Sequence, residues 1–200
     1  NEQSPSRCEV TVIDYTNYIK IGTKEELIAA GQTGTTEKMN LWGTETDVTV
    51  FRGYFVLTAD INLDGMDLTG KQSNIFNGYF LGIFDGNGYE ISGFNVVGAY
   101  SSLFGNVGGN GTTQNSGFTG LVKDLTVKCG TYKSQLKAAV LAATAWGNGV
   151  IENCYVSIDE IDLTNKFFDK SKPHEGAGFT VVNVYNGGTV KNCVEVGNYL

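Results

Sequence analysis

The chain has 200 residues, of which 41% are hydrophobic and 12% aromatic, so it carries enough apolar material for the core of one domain. Its net charge of −7 and its lack of any Lys/Arg cluster argue against a nucleic-acid-binding surface. No apolar run reaches the ~18 residues of a membrane-spanning helix, so we expect a chain that does not span a membrane.

The N-terminal part of the chain predicts a tail and a short helix. Residues 1–19 are mostly polar, and we expect them to form a tail or the end of a preceding domain. The tetrapeptide Thr23–Glu26 has the Ser/Thr-x-x-Glu form of a capping box, and Gly31 stands where the helix would end. We therefore predict a helix near residues 23–30, followed by a polar loop over residues 32–47.

From Val48 onward, the sequence is a series of short alternating runs broken by Gly and Asn, a pattern typical of an all-β fold. We assign residues 20–200 to one β domain that includes the short helix. The Ala-rich segment Ala138–Ala145 favours a helix by propensity, but its repeat partner Phe179–Tyr185 favours a strand, so we predict a strand. The remaining β-rich runs are Tyr54–Leu57, Tyr79–Phe84, Ile91–Val96, Leu121–Val127, Val150–Ile158 and Thr189–Val196.

An internal repeat indicates a solenoid. Gly149–Cys154 matches Gly188–Cys193 at a shift of 39 residues, and the same shift places Trp146 on Tyr185. Weaker copies precede this pair, with a unit of about thirty residues that fits one coil of a β-solenoid. The key apolar residue recurs at Ile61, Ile91, Val122, Ile151 and Val190.

Stacked coils should place equivalent residues above one another, about 4.8 Å apart. We expect one inward ladder from the five recurring apolar residues and a second from Phe94, Leu125, Cys154 and Cys193. The bend between the ladders should hold residues that tolerate a left-handed backbone. Glu195 falls where Val156 points inward, which predicts a slip or bulge after Cys193. The predicted bend residues are Gly93, Asp124, Asn153 and Asn192.

The segments that resemble the GLUG-repeat proteins are Tyr54–Leu63, Phe84–Phe94 with its Asp-Gly-Asn-Gly motif, and Ser102–Val107 with its Leu-Phe-Gly motif. Gly149–Cys154 resembles their repeated strand-and-turn unit, and the resemblance covers residues 50–196. It implies a single-stranded, right-handed parallel β-helix of the pectate-lyase-like type, without implying lyase activity. It also implies a secreted or cell-surface protein of bacterial, Bacteroidetes-like type, with a role in adhesion or glycan contact. The sequence departs from the family where Gly is expected, at Lys123 and Ala142.

A calcium loop is the one cofactor site that the sequence suggests. The segment Asp60–Gly65 resembles the start of an EF-hand loop, but Lys71 stands at the twelfth position, where a bidentate acid is needed. A strand followed by a turn explains the same residues. The candidate ligands are Asp60, Asn62, Asp64 and Asp67.

Aromatic residues form a candidate glycan-binding platform. Trp146 and Tyr185 should stack on adjacent coils, with Tyr155 as a further ring that contacts a sugar. The alternative is a packed corner of the core, which we favour because stacked aromatics are common core elements.

Cys154 and Cys193 should lie one coil apart, which is within the Cα distance of a disulfide. The alternative, which we favour, is two buried thiols that act as small apolar residues. Cys129 should also point inward, two residues after Val127.

Catalysis by a β-helix lyase or hydrolase needs clustered carboxylates, often with an Arg or Lys base, and no such set emerges from the sequence. Asp85 lies in a turn motif, and the sole histidine, His174, lies in a polar inserted loop. We therefore predict a non-catalytic extracellular or cell-surface module that contacts a glycan or a host-surface ligand. A polysaccharide lyase or glycoside hydrolase fragment and an architectural spacer are the alternatives.

The C-terminal end, Val196–Leu200, carries no visible polar cap. An uncapped solenoid end leaves strand edges unpaired. We expect further coils, a cap, a neighbouring domain or a partner chain to cover this end.

Overall fold

The computed structural model describes residues 13–41, 43–70, 74–109, 120–134, 138–162 and 178–199. These residues form an all-β fold with one helix and three mostly parallel sheets, named A, B and C below, which confirms the predicted fold class at this level. The first twelve residues of the predicted tail and the loop that holds His174 lie outside the described residues. The boundary at residue 19 between the tail and the β domain stays a prediction.

The strands of each sheet come from widely separated parts of the sequence. Sheet A contains β1 (Ile19–Ile21), β4 (Tyr54–Leu57), β7 (Ile83–Asp85), β10 (Leu121–Lys123), β13 (Val150–Glu152) and β16 (Thr189–Lys191). Sheet B contains β2 (Thr35–Leu41), β3 (Thr44–Phe51), β6 (Phe76–Phe80), β9 (Phe104–Val107), β12 (Ala142–Trp146) and β15 (Val181–Tyr185). Sheet C contains β5 (Ile61–Leu68), β8 (Glu90–Val96), β11 (Thr126–Tyr132), β14 (Tyr155–Ile161) and β17 (Val194–Tyr199).

The chain visits the sheets in a fixed order. From β4 onward it passes through A, then C, then B, and each return to a sheet adds a parallel neighbour to the previous strand of that sheet. Each round therefore forms one coil, and stacked coils share three continuous sheets. This arrangement is compatible with a β-helix or solenoid.

The core lies between the three sheets, and aromatic rings fill it in the earlier coils. Phe76 and Phe104 stack with ring centroids 4.9 Å apart, and Phe55, Phe80 and Phe84 surround them at centroid distances of 5.1–5.8 Å. All five are at most 1% exposed. Burial of one such ring contributes about 1.5–3 kcal/mol, so this cluster is a major source of stability.

The helix α1 (Lys24–Ala30) confirms the prediction for residues 23–30. The Thr23 hydroxyl accepts a hydrogen bond from Glu26 N at 3.2 Å, and the Glu26 carboxylate accepts one from Thr23 N at 3.1 Å. This reciprocal capping box satisfies backbone donors that have no partner within the helix. Because α1 lies between β1 of sheet A and β2 of sheet B, it takes the place that a strand of sheet C holds in later coils.

The predicted loop over residues 32–47 is wrong. From Thr35 onward the described residues belong to a hairpin in which β2 pairs antiparallel with β3, from Thr35↔Val50 to Leu41↔Thr44. The strands are rich in β-branched Thr and Val, and Gly43 supplies the positive φ of 87° at the turn. Much of the hairpin is exposed, so its alternation lacks the apolar signal by which we recognise strands.

The Ala-rich segment is a strand only in its second half. The strand β12 begins at Ala142, and residues 138–141 are fully buried but irregular, so the predicted start at Ala138 is wrong. Burial against the other coils overrides the helix propensity of these alanines.

The predicted five-residue ladder divides between two sheets. Ile61 and Ile91 pair in sheet C and continue to Val127, whereas Val122 and Ile151 pair in sheet A. The reason is the four-residue connection 86–89 between β7 and β8, since later coils use two residues at that place. The thirty-residue spacing therefore aligned residues of different sheets.

The second predicted ladder is also wrong at its first member. Phe94 pairs with Met66 and Cys129 inside sheet C, whereas Leu125 and Cys154 follow the strands of sheet A. The inward orientation of Cys129 is confirmed, since it is fully buried.

The shift of 39 residues is confirmed, because Ile151 pairs with Val190 and Trp146 with Tyr185. The predicted slip or bulge after Cys193 is present further along the strand, since the register holds through Ile158↔Gly197 and shifts before Ile161↔Tyr199.

The bend that follows β10, β13 and β16 of sheet A has the predicted left-handed backbone. Asp124, Asn153 and Asn192 have φ values of 51°, 54° and 53°. Gly93 also has a positive φ, of 70°, but it lies within β8 of sheet C. Because Asp85 pairs with Lys123, the residue equivalent to Asp124 one coil earlier is Gly86.

Apolar side chains are half-exposed in the last described coil. Val184, Val194 and Val196 have exposed fractions of 49%, 53% and 47%. The predicted cover over this end stays a prediction.

Candidate functional site

The outer face of sheet B carries a groove of about 290 Å³. Four consecutive strands of the sheet contribute to it, and uncharged polar side chains and one aromatic ring dominate its wall. The side chains used below are Asn77, Tyr100, Asn106, Thr144 and Asn183.

The register of sheet B places three of these side chains in one row. Thr144 on β12 pairs with Asn106 on β9 and with Asn183 on β15, so the three lie on successive coils, about 4.8 Å apart. We call this row the groove ladder. On β9, Phe104 and Val107 are buried in the core, whereas Asn106 lines the groove.

The groove ladder makes no side-chain hydrogen bond to any residue that the structure describes. Asn106, Thr144 and Asn183 are each partly exposed. An amide offers two donors and an acceptor, and a hydroxyl offers one donor and two acceptor lone pairs. The row therefore presents hydrogen-bonding groups that a ligand can engage.

The structure brings together two of the three rings of the candidate platform. Trp146 and Tyr185 lie two residues beyond Thr144 and Asn183 on the same strands, with ring centroids 6.3 Å apart in an edge-to-face arrangement. Trp146 is 7% exposed and packs with Val50, Tyr79 and Leu81 beneath the β2–β3 hairpin, whereas Tyr185 is 46% exposed. Trp146 thus serves packing, and Tyr185 presents a ring.

Tyr155 lies apart from the other two rings. It begins β14 in sheet C and pairs with Thr126 and Val194. Its ring is 38% exposed. The structure therefore brings Trp146 and Tyr185 together but does not bring Tyr155 to them.

The four calcium candidates have other partners. Asp60 accepts a hydrogen bond from Glu90 N at 2.9 Å, Asn62 accepts one from Asp64 N at 2.8 Å, and Asp67 accepts one from the Asn95 amide at 2.8 Å. Asp64 forms an ion pair with Lys24, at 3.0 Å. In the part of the chain that the structure describes, no group of three or more His, Cys, Asp or Glu side chains is arranged to hold a metal ion.

The Asp64-Gly65 turn has a local structural explanation. It interrupts β5 with two positive φ values, 54° and 75°, at the point where the pairing with β8 shifts register. A bulge of this kind uses Asp and Gly without any metal.

A charged cluster on sheet A is the main feature that the sequence did not reveal. The Lys123 ammonium lies 2.6 Å from the Asp85 carboxylate and 2.7 Å from that of Asp124, and the Tyr15 hydroxyl donates to Asp85 at 2.9 Å. Asp85 is 1% exposed. The sequence does carry a signal for this cluster, because the paired positions of successive strands in sheet A alternate between an acidic and a basic residue. In the later coils, Lys191 lies 2.6 Å from Glu152.

The cluster is not poised for acid or base catalysis. Burial acts to lower the pKa of Lys123, but hydrogen bonds and charge from Asp124 and Asp85 outweigh it and raise that pKa. Burial likewise acts to raise the pKa of Asp124, but hydrogen bonds from Lys123 and Asn153 lower it. Lys123 is therefore held as a cation and Asp124 as an anion across the neutral range, whereas a general base must give up and regain a proton near the working pH.

The cysteines within the described residues are free thiols. Cys154 and Cys193 lie on adjacent coils, and the proximity of the two thiols raises the pKa of Cys154 and lowers that of Cys193 to about 7. Burial raises the pKa of Cys129 to about 12. The predicted adjacency of Cys154 and Cys193 is present, and a disulfide between them stays a prediction.

Comparisons with known proteins are sparse. No family model and no solved structure matches the chain. The chain is 32% identical over 170 residues to a protein of Evansella cellulosilytica named "Putative Gly-rich membrane protein". The match covers 76% of this chain and 18% of that relative, so the chain spans less than a fifth of the relative's length. In the described residues, no helix of this chain has the length and apolarity needed to cross a membrane.

Proposed function

We propose that the chain is a right-handed parallel β-helix module of a larger extracellular or surface protein, and that it contacts a glycan without cleaving it. The ordered return of the chain to three sheets and the resemblance to GLUG-repeat proteins support the module. The much greater length of the relative, and its printed description as a membrane protein, support a place within a larger surface protein.

The groove ladder is the observation that carries the glycan contact. Sugar hydroxyls donate and accept hydrogen bonds, and the Asn106 and Asn183 amides offer both functions at regular spacing. The Tyr100 ring in the groove and the exposed Tyr185 ring two residues beyond Asn183 offer apolar faces for a pyranose. A wall of amides, a hydroxyl and aromatic rings is the chemistry that a glycan requires.

The sheet A cluster supports the non-catalytic part of the proposal. The carboxylates of Asp85 and Asp124 already bind Lys123, which remains protonated. An enzyme that cleaves polysaccharides needs a free acid and base beside the substrate. A spacer that only displays other domains is the rival, and it predicts no ligand at all.

A glycan array followed by calorimetry tests the proposal. We expect binding to the wild-type chain and at least a tenfold loss in the variant Asn106→Ala/Asn183→Ala, since each lost hydrogen bond costs about 0.5–1.5 kcal/mol. The control is Asn198→Ala, which removes an exposed amide from sheet C. Both proteins should have unchanged circular dichroism.

Three outcomes would contradict the proposal. The first is no binding to any glycan, as the spacer predicts. The second is equal loss of affinity in the Asn106→Ala/Asn183→Ala and Asn198→Ala proteins, which would move the site away from the groove. The third is release of shortened glycan from a polysaccharide by the wild-type chain, which would make it an enzyme.

A further inference from the structure

The groove continues into a second cavity beside α1. This cavity has a volume of about 410 Å³ and lies between the end of α1, the base of the β2–β3 hairpin and the start of β6. Asn74 and Asn77 line both spaces, so the two adjoin. Together they form a cleft that runs from sheet B to the N-terminal helix.

The two halves of the cleft differ in polarity. Amides and Thr144 line the groove, whereas the α1 cavity has a mixed lining in which Ile28, Phe51 and Met66 stand beside amides. Gln32 borders the α1 cavity and is exposed on the surface. The cleft therefore offers hydrogen-bonding groups along its length and adds apolar surface at the α1 end.

The shared wall is held in place. Asn74 is 9% exposed, and its carbonyl oxygen accepts a hydrogen bond from Ser102 N at 2.9 Å. Its amide nitrogen makes no hydrogen bond to another described residue and is left for a ligand. Asn77 is exposed and stands at the same junction.

Among the residues that the structure describes, none with a charged side chain lines either half of the cleft. The whole chain nevertheless has 14 Lys and Arg and 21 Asp and Glu residues, with a net charge of −7. A carboxylate in the cleft would lose hydration without gaining a cation, and it would approach a protein of the same sign. A neutral ligand meets neither penalty.

Resting on the proposed function, we infer that the cleft binds a neutral, linear oligosaccharide that spans both halves. Its hydroxyls engage the groove ladder and Asn74, and the apolar face of a ring packs on the partly exposed Ile28 and Met66 in the α1 cavity. The inference predicts that acidic polysaccharides, the substrates that a lyase would need, bind more weakly than neutral ones. Affinity must then rise with chain length until both halves are occupied.

Calorimetry with two oligosaccharide series tests the inference. One series is neutral, from one to six sugar units, and the other carries carboxylates at the same lengths. We expect the longest neutral ligand to bind at least about tenfold more tightly than the shortest, and at least about tenfold more tightly than its acidic counterpart.

The variant Gln32→Trp places a large ring at the mouth of the α1 cavity. It should abolish the gain with length while leaving the shortest ligand unaffected. The control, Glu25→Trp, alters an exposed position of α1 that does not line the cavity, and it should keep the length dependence. Circular dichroism before titration verifies that both variants fold.

The outcomes separate this inference from the proposed function. Acidic ligands that bind as well as neutral ones would overturn the inference, and so would an affinity independent of length. In both cases, a loss of glycan binding in Asn106→Ala/Asn183→Ala would still support the proposed glycan site in the groove. If no glycan binds to the wild-type chain, the proposed function itself fails.

Discussion

Two rows of polar side chains run along the coils, one at the bend after sheet A and one in the groove of sheet B. At the bend, the Asn153 amide donates to Asp124 at 3.0 Å, and the Asn192 amide donates to Asn153 at 3.3 Å. In the groove ladder, Asn106 and Asn183 make no such bonds within the described residues. Similar side chains at the same spacing therefore hold the fold together in one place and remain free in the other.

The backbone explains the difference between the bend and the groove ladder. At the bend, every member has φ near 50°, which only a few residue types tolerate, so the Asn side chains there are required by conformation. In the groove, the chain is an ordinary strand in which many residues fit. The amides of the groove ladder therefore have no such backbone requirement, which supports the proposed role in binding.

We expect the largest loss of stability from a change in the charged cluster on sheet A, which includes the bend residue Asp124. The variant Lys123→Met leaves Asp85 buried at 1% exposure without its cation, and Asp124 without its ion pair. We expect a loss of about 3 kcal/mol in the free energy of unfolding, measured by urea denaturation. The control is Thr144→Val in the groove ladder, which should change stability by less than about 0.5 kcal/mol.

Acid denaturation gives an independent check of the same cluster. The pKa of Asp124 is lowered in the folded chain, so its contribution is present above its ordinary value of 3.8 and is lost as the pH falls below that value. Because Lys123 is a main cause of the shift, wild type should lose more stability than Lys123→Met between pH 5 and about pH 3. Parallel curves for the two proteins would contradict this account.

A smaller loss should follow from a change at the bend itself. Asn153→Val puts a β-branched residue at a φ of 54° and removes hydrogen bonds to Asp124 and Asn192. We expect a cost of about 2 kcal/mol, from backbone strain and the broken row. In contrast, Asn183→Val in the groove should leave the midpoint of thermal unfolding almost unchanged. A similar loss in both variants would remove the distinction between bend and groove.

The smallest expected effect concerns the thiols that follow the bend. Oxidised glutathione should join Cys154 and Cys193 in a disulfide, releasing two glutathione thiols, since the pKa of Cys193 is lowered to about 7. Cys129 should remain a thiol because burial raises its pKa to about 12. Peptide mass spectrometry identifies the link, and Cys193→Ser is the control. A mixed disulfide at Cys129 would contradict the prediction.

Local signals in the sequence were sufficient for the helix and the bend residues. The capping box of α1 and the Asn and Asp residues at the bend act within a few positions of the chain. The shift of 39 was also reliable, because a repeated hexapeptide fixes the register of Gly149–Cys154 against Gly188–Cys193. The ladder failed because two extra residues in the connection before β8 changed which sheet Ile91 joins.

The groove ladder could be predicted from the sequence only in part. The shift that places Tyr185 on Trp146 also places Asn183 on Thr144, but nothing in the sequence tells whether the side chains bond to each other. The Asp85–Lys123 pair needed the register of sheet A, which the incorrect ladder concealed. Long-range register, rather than residue type, limited the prediction of both sites.

The side-chain amide resonances of the asparagines test the central claim most directly, by NMR titration with the neutral oligosaccharide that the array selects. The Asn106 and Asn183 amides should shift with the ligand, while those of Asn153 and Asn192 should stay in place because their partners are within the protein. Shifts confined to the bend, with the groove amides unchanged, would contradict the account.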